Sequence, residues 1–186
     1  WSLDVCSSAS GSMSNFLNPQ LKECDLIEAM PPMGNFIVDP SENNAKHYVL
    51  FGGGSGITTL WSIALTVLGQ EPNSKVTLVY ANRNKESIIF HDSISQMETE
   101  YDGRFKTVHI LEEGSDGWTG LTGMLTQQKI KQLLDMHLGA EQANAEYFIC
   151  GPTGLMQLVE SSLEALNVPK NQVHLEYFTA VSKKSS

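Results

Sequence analysis

Basic residues are scarce in this chain. Its 12 lysines and arginines stand against 21 aspartates and glutamates, and the net charge of −9 would repel phosphate backbones and anionic lipid instead of displacing their counterions. Nucleic acid and membrane surfaces are therefore excluded as expected partners. Long apolar runs are also missing: none approaches the roughly 20 residues that span a bilayer, and no basic stretch followed by an apolar one opens the sequence. A soluble, cytoplasmic protein is expected. Cysteine is sparse, with Cys6, Cys24 and Cys150 scattered and odd in number, which lacks the paired spacing of a zinc or iron-sulfur site and suits a reducing compartment. The five histidines show no H-E-x-x-H spacing and no serine stands in a G-x-S-x-G elbow. Neither a metal site nor a hydrolase is expected.

What is present is an alternation of short β-rich runs with stretches of helical period. At 186 residues the chain is long enough for one full core and an appendage. His47 to Phe51, Lys75 to Tyr80, Phe105 to Leu111, Tyr147 to Cys150 and Val173 to Phe178 read as strands. Helices are predicted from Thr58 to Leu68 with Gly69 as C-cap, from about Glu86 to Glu100, through Ile130 to Leu138 with Gly139 as stop, and after Pro152 through Leu155, Val159, Leu163 and Leu166. Five strands joined by four crossovers predict a doubly wound α/β domain with a five-stranded parallel sheet. The predicted division is a partial β segment over 1–45, a nucleotide-binding domain over 46–180 and a polar tail over 181–186.

In such a sheet, ligands bind beyond the carboxyl ends of the strands, so the loops there hold the candidate chemistry. Gly52 to Gly56, followed by Ile57 and Thr58, lets the backbone close on an anion while a helix N-terminus offers its free N–H groups. The loop is neither a G-x-G-x-x-G fingerprint nor a P-loop, and a tight turn without ligand would use the same residues. After the second strand, Asn82, Arg83 and Lys85 stand where NAD-binding folds usually place an acidic residue. Their charge suits a 2′-phosphate, or simply a solvated helix start. Cys150, Gly151 and Pro152 end the fourth strand with a small thiol, a glycine opening and a helix start, room for a flat ring. A small buried hydrophobe is the alternative reading of Cys150. His174, Glu176 and Phe178 share one strand face, able to meet a cofactor or to face solvent at an edge.

Six pieces in order carry a resemblance: Pro32 to Phe36, Gly53 to Thr58, Tyr80 to Arg83, Trp118 to Gly120, Cys150 to Met156, and Glu176 to Phe178. Together they resemble the NAD(P)-binding lobe of the ferredoxin-NADP reductase family, in the branch of oxygenase reductase components of the phenylacetyl-CoA oxygenase type and of flavohemoglobin. The resemblance implies an NAD(P)H-dependent flavin oxidoreductase with FAD and NADP, or NAD, as cofactors. It assigns Gly53, Gly54, Ser55, Gly56, Ile57 and Thr58 to the pyrophosphate, and Asn82 and Arg83 to the adenosine ribose. Cys150, Gly151, Pro152 and Met156 go to the nicotinamide side, and Glu176 and Phe178 to the flavin edge. Cys150 and Glu176 are the candidate catalytic residues. Ser14 and Asn15, within Gly11 to Leu17, would bind the flavin. The family's flavin-binding barrel is a domain of roughly a hundred residues, whereas about 45 residues precede the lobe here and its arginine-x-tyrosine-serine motif is not intact. Residues 1–45 are accordingly expected to be a barrel remnant. The implied partner is an electron acceptor: a ferredoxin, an oxygenase or a haem protein. The alternative is a nucleotide sensor or electron-transfer subunit with no activity of its own.

Overall fold

Four apolar runs, too short for helices and flanked by glycine or polar residues, form the centre of a parallel sheet. β1 (His47–Gly53) is buried along its whole length, the pattern of a strand covered on both faces. It pairs in parallel with β2 (Lys75–Asn82) and with β5 (Ala145–Cys150), while β3 (Phe105–Leu111) extends the sheet beyond β2 and β6 (Val173–Glu176) beyond β5. A two-residue strand, β4 (Leu121–Thr122), pairs with Ile110 and Leu111 of β3. The sheet is thus six-stranded in the order β4-β3-β2-β1-β5-β6, the expected five strands plus one too short to show a period.

The computed structural model describes residues 22–23, 25–26, 31, 33–114, 116–139 and 144–178. The chain divides into two compact units, 1–34 and 35–186. Among the described residues no helix is long and apolar enough to cross a membrane.

Two layers of helix cover the sheet. α1 (Ile57–Gln70) and α2 (His91–Glu100) pack on one face, where Leu60, Ile63, Ala64, Val67, Ile94 and Met97 meet Tyr48, Leu50, Leu78 and Phe148. α3 (Gln127–His137) and α4 (Thr153–Ala165) cover the other through Ile130, Leu133, Leu134, Met156, Val159 and Leu163, against Val49, Phe51, Val79, Tyr147 and Ile149. In both layers the buried positions recur at helical spacing, and the strands supply both of their faces.

Two helix boundaries depart from the sequence reading. α1 runs through Gly69 to Gln70 instead of stopping at the glycine. The reason is a tertiary cap: the Arg104 guanidinium donates to the carbonyls of Leu68 and Glu71 at 3.3 and 2.5 Å, satisfying the helix end with a cation that also opposes its dipole. α2 begins at His91, not near Glu86, because residues Lys85–Ser87 form a 3-10 turn capped by the Asn84 side chain. Phe90 then adopts the left-handed region with φ of 61°. Its ring stacks on Trp61, centroids 5.8 Å apart, which offsets a backbone cost of about 1 kcal/mol.

Candidate functional site

Strand order reverses between β1 and β5, so the crevice of this sheet opens at their carboxyl ends. Across that edge Tyr80, Gly52, Cys150 and Glu176 are register partners in sequence. Two turns meet there. The turn after β1 has Gly54 at φ of +51°, in the left-handed region that favours glycine. Its last residue, Gly56, faces β5 so closely that a Cβ would collide with the Cys150 carbonyl oxygen. A glycine is needed at 56 because two backbones touch.

The two helices that leave these turns start without help from side chains. α1 has Gly56 as its N-cap and α4 has Pro152; neither helix has a side-chain cap bond or an acidic residue in its first turn. The Ile57 N–H donates to the carbonyls of Gly54 and Ser55 within the turn, and with no side-chain cap or acid in either first turn the positive ends of the two helix dipoles are uncompensated, which suits an anion. The Thr58 and Thr59 hydroxyls are turned back, donating to the carbonyls of Ser55 and Gly56 at 3.0 and 3.2 Å. They brace the turn.

Beside it lies a cleft of about 490 Å³. Gly53, Gly54 and Pro152 form its turn side, Ala81, Asn82 and Arg83 its β2 end, and Ile110, Leu125, Leu155 and Leu158 an apolar wall, with Glu112 and Met124 at the margin. An apolar slot bordered by a few polar groups and an anion cradle fits an adenosine with its phosphates. The Asn82 side chain adds a test of that fit. It is 5% exposed, and neither its amide nitrogen nor its oxygen has a partner in good hydrogen-bond geometry; the nearby Tyr80 hydroxyl makes at most a weak side-chain hydrogen bond to it, which draws the Tyr80 pKa down slightly against burial. A buried orphan amide costs about 1 to 3 kcal/mol. A ligand with its own donors and acceptors would recover that cost. The Tyr80 hydroxyl, pushed to a higher pKa by burial, donates to the Gly54 carbonyl at 2.9 Å and so ties β2 to the glycine turn.

Of the expected site residues, Gly53, Gly54, Asn82, Arg83 and Pro152 line the cleft, while Ser55, Gly56 and Thr58 form the adjoining turn. Ile57 and Met156 are fully buried, one in each core layer, and support the helix starts from within. Cys150 is fully buried. Burial pushes its thiol pKa up, the neighbouring Thr59 hydroxyl draws it down, and the Glu176 carboxylate raises it again. Glu176 ends β6 half-buried beside Cys150, and Phe178 is 54% exposed just beyond. Ser14 and Asn15 lie outside the described residues. Sequence reasoning missed Ile110, Met124, Leu125 and Leu158 as cleft residues. Gly123, just before Met124 and Leu125, was the local signal for those two.

A larger cleft, about 680 Å³, lies at the amino ends of the strands between His47, Lys75, Arg104, Asp135 and His137. Helices end there instead of beginning, and the glycine turns are at the opposite edge.

A doubly wound parallel sheet with an anion cradle and an adenosine-sized cleft at its switch point defines a dinucleotide-binding domain. Residues 50–161 match the family described as "Oxidoreductase NAD-binding domain", and the chain belongs to that family. It is 31% identical over 172 residues to a subunit of the 1,2-phenylacetyl-CoA epoxidase of Escherichia coli, an alignment covering 90% of this chain and 47% of that protein. It is 34% identical over 173 residues to the ferredoxin reductase component of a 3-ketosteroid-9-alpha-monooxygenase from Mycobacterium tuberculosis, covering 93% and 44%. The chain thus spans less than half the length of these relatives. Among solved structures, the cytochrome b5 reductase domain of Ulva prolifera nitrate reductase superposes with a TM-score of 0.74 at 19% identity, over 90% of this chain and 66% of that one, so the fold is shared.

Proposed function

We propose that this chain is the pyridine-nucleotide half of a flavin oxidoreductase, taking reducing equivalents from NAD(P)H to FAD and on to a ferredoxin, an oxygenase or a haem protein. The observation that carries the reading is the orphaned, buried Asn82 amide beside a cleft that two uncapped helix starts border at the switch point. The names of the E. coli and M. tuberculosis relatives, part of an epoxidase and a reductase component of a monooxygenase, support the same assignment.

In this reading the turn from Gly53 to Thr58 holds the pyrophosphate through backbone N–H groups other than that of Ile57, which donates to Gly54 and Ser55, with the α1 N-terminus behind it. Asn82 and Arg83 hold the adenosine ribose. When bound, the coenzyme supplies a hydride from its nicotinamide and the flavin accepts it. Gly151 and Pro152 present a small, flat wall for the nicotinamide ring with the buried Cys150 behind them, and Ile57 and Met156 keep that wall in place from the core. The burial that raises the Cys150 thiol pKa keeps it a neutral SH group there. Glu176 and Phe178 stand at the flavin edge, and the family resemblance alone assigns Ser14 and Asn15 to flavin binding. Positioning and polarity are the protein's contribution. The net charge of −9 favours a basic docking face on the electron acceptor, and the scattered cysteines favour the cytoplasm.

The test is the visible spectrum of the purified chain, with and without added FAD, before and after anaerobic addition of NADH or NADPH. Flavin bands that bleach on coenzyme addition establish the reductase. Saturable coenzyme binding without flavin would leave a nucleotide-binding module, and no binding of either would overturn the assignment.

A further inference from the structure

The loop after β3 runs alongside the end of β2 and continues its ladder. The Glu112 N–H donates to the Asn82 carbonyl at 3.0 Å and the Glu113 N–H to the Arg83 carbonyl at 2.8 Å, which sets two consecutive glutamates against the pair expected to grip the ribose. The Arg83 Nε then donates to Glu113 Oε1 at 3.0 Å. Glu112 lies on the cleft margin with Arg83. Lys85, the other cation of this stretch, is not among the residues lining the cleft.

We propose that Glu113 is a specificity-determining residue that occupies Arg83 and selects NADH over NADPH. This rests on the nucleotide-binding reading above. A 2′-phosphate brought to the remaining N–H groups of Arg83 has to sit beside the carboxylate already held on its Nε and approach a second at Glu112, so its own charge is opposed. A free 2′-hydroxyl meets no such repulsion and can donate to a carboxylate. Arg83 and Glu113 are largely solvent-exposed, 72% and 58%, so the discrimination is graded, on the order of tenfold, and weakens with salt.

Calorimetric titration of the chain at low ionic strength with NADH, NADPH and 5′-AMP tests this. The wild type binds NADH about tenfold more tightly than NADPH, and Glu113→Gln tightens NADPH about fivefold while NADH moves less than about twofold. Adding Arg83→Ala to that variant removes most of the NADPH gain, because the released guanidinium is what takes the phosphate. A wild-type preference for NADPH, or unchanged affinities in Glu113→Gln, would overturn the proposal while leaving the nucleotide site standing. If neither 5′-AMP nor either coenzyme binds the wild type, the nucleotide reading falls and the selectivity with it.

Discussion

Gly56 sits against the Cys150 carbonyl oxygen so closely that no Cβ fits between them. This one contact joins the turn that starts α1 to the end of β5, and it brings the two uncapped helix N-termini to the same crevice. The rigidity of the cradle depends on an absent side chain. Gly56→Ala forces the two backbones apart, at a cost of about 1 to 3 kcal/mol, and 5′-AMP affinity falls with it. A urea melt beside a calorimetric titration checks both. Unchanged stability would mean that the turn moves away freely.

Asn82 poses the opposite trade. Its amide is buried without partners, so Asn82→Leu removes an unsatisfied group and holds or raises stability by about 1 kcal/mol, while nucleotide affinity drops about tenfold. Thermal unfolding and 5′-AMP titration on one preparation decide it. A fall in stability would show that Asn82 is satisfied in the free protein and has a structural role.

Glu146 accepts from Lys46 Nζ and from His174 Nε2, each at 3.0 Å, while the His174 ring lies on Phe148 with centroids 4.4 Å apart. Burial draws the Glu146 pKa up, but the hydrogen bonds from His174 and Lys46 outweigh it, and the carboxyl lies below its ordinary 4.5. A depressed carboxyl pKa adds stability that is complete above the unfolded value and is lost as pH falls through the folded one. Below about pH 4.5 the wild type should therefore lose about 1 kcal/mol that Glu146→Gln does not lose. Parallel pH-dependent denaturation curves for the two proteins would contradict this.

Cys150 is fully buried, and burial leads the causes that raise its thiol pKa. It should stay a protonated thiol at neutral pH and alkylate only when the domain opens, since the thiolate is the nucleophile. Mass spectrometry of the peptide containing Cys150, after iodoacetamide with and without denaturant, measures this. Rapid labelling in the native state would place the thiol at an accessible surface. Under the proposed function, Cys150→Ala should slow flavin reduction in stopped flow more than it weakens coenzyme binding. An equal rate would remove Cys150 from the hydride path.

The architecture was legible in the sequence because its signals are local. Short unbroken apolar runs such as Tyr48 to Phe51, bounded by a glycine cluster, read as strands buried on two faces, Leu60, Ile63, Ala64 and Val67 fall on one side of a helix, and a glycine cluster between strand and helix marks a tight turn. Gly54, whose left-handed backbone needs no partner to explain it, belongs to this class. Tertiary structure alone decided the rest. The end of α1 passes its glycine because Arg104, more than thirty residues away in sequence, takes the last carbonyls. The start of α2 waits on Phe90 stacking against Trp61. The apolar wall of the cleft gathers Ile110, Leu125 and Leu158 from three separate segments, and Arg83, which alone reads as a phosphate ligand, meets Glu113 only because β3 lies beside β2. Periodicity and turn chemistry are properties of neighbouring residues, whereas charge pairing and cavity walls depend on which strands the fold places side by side.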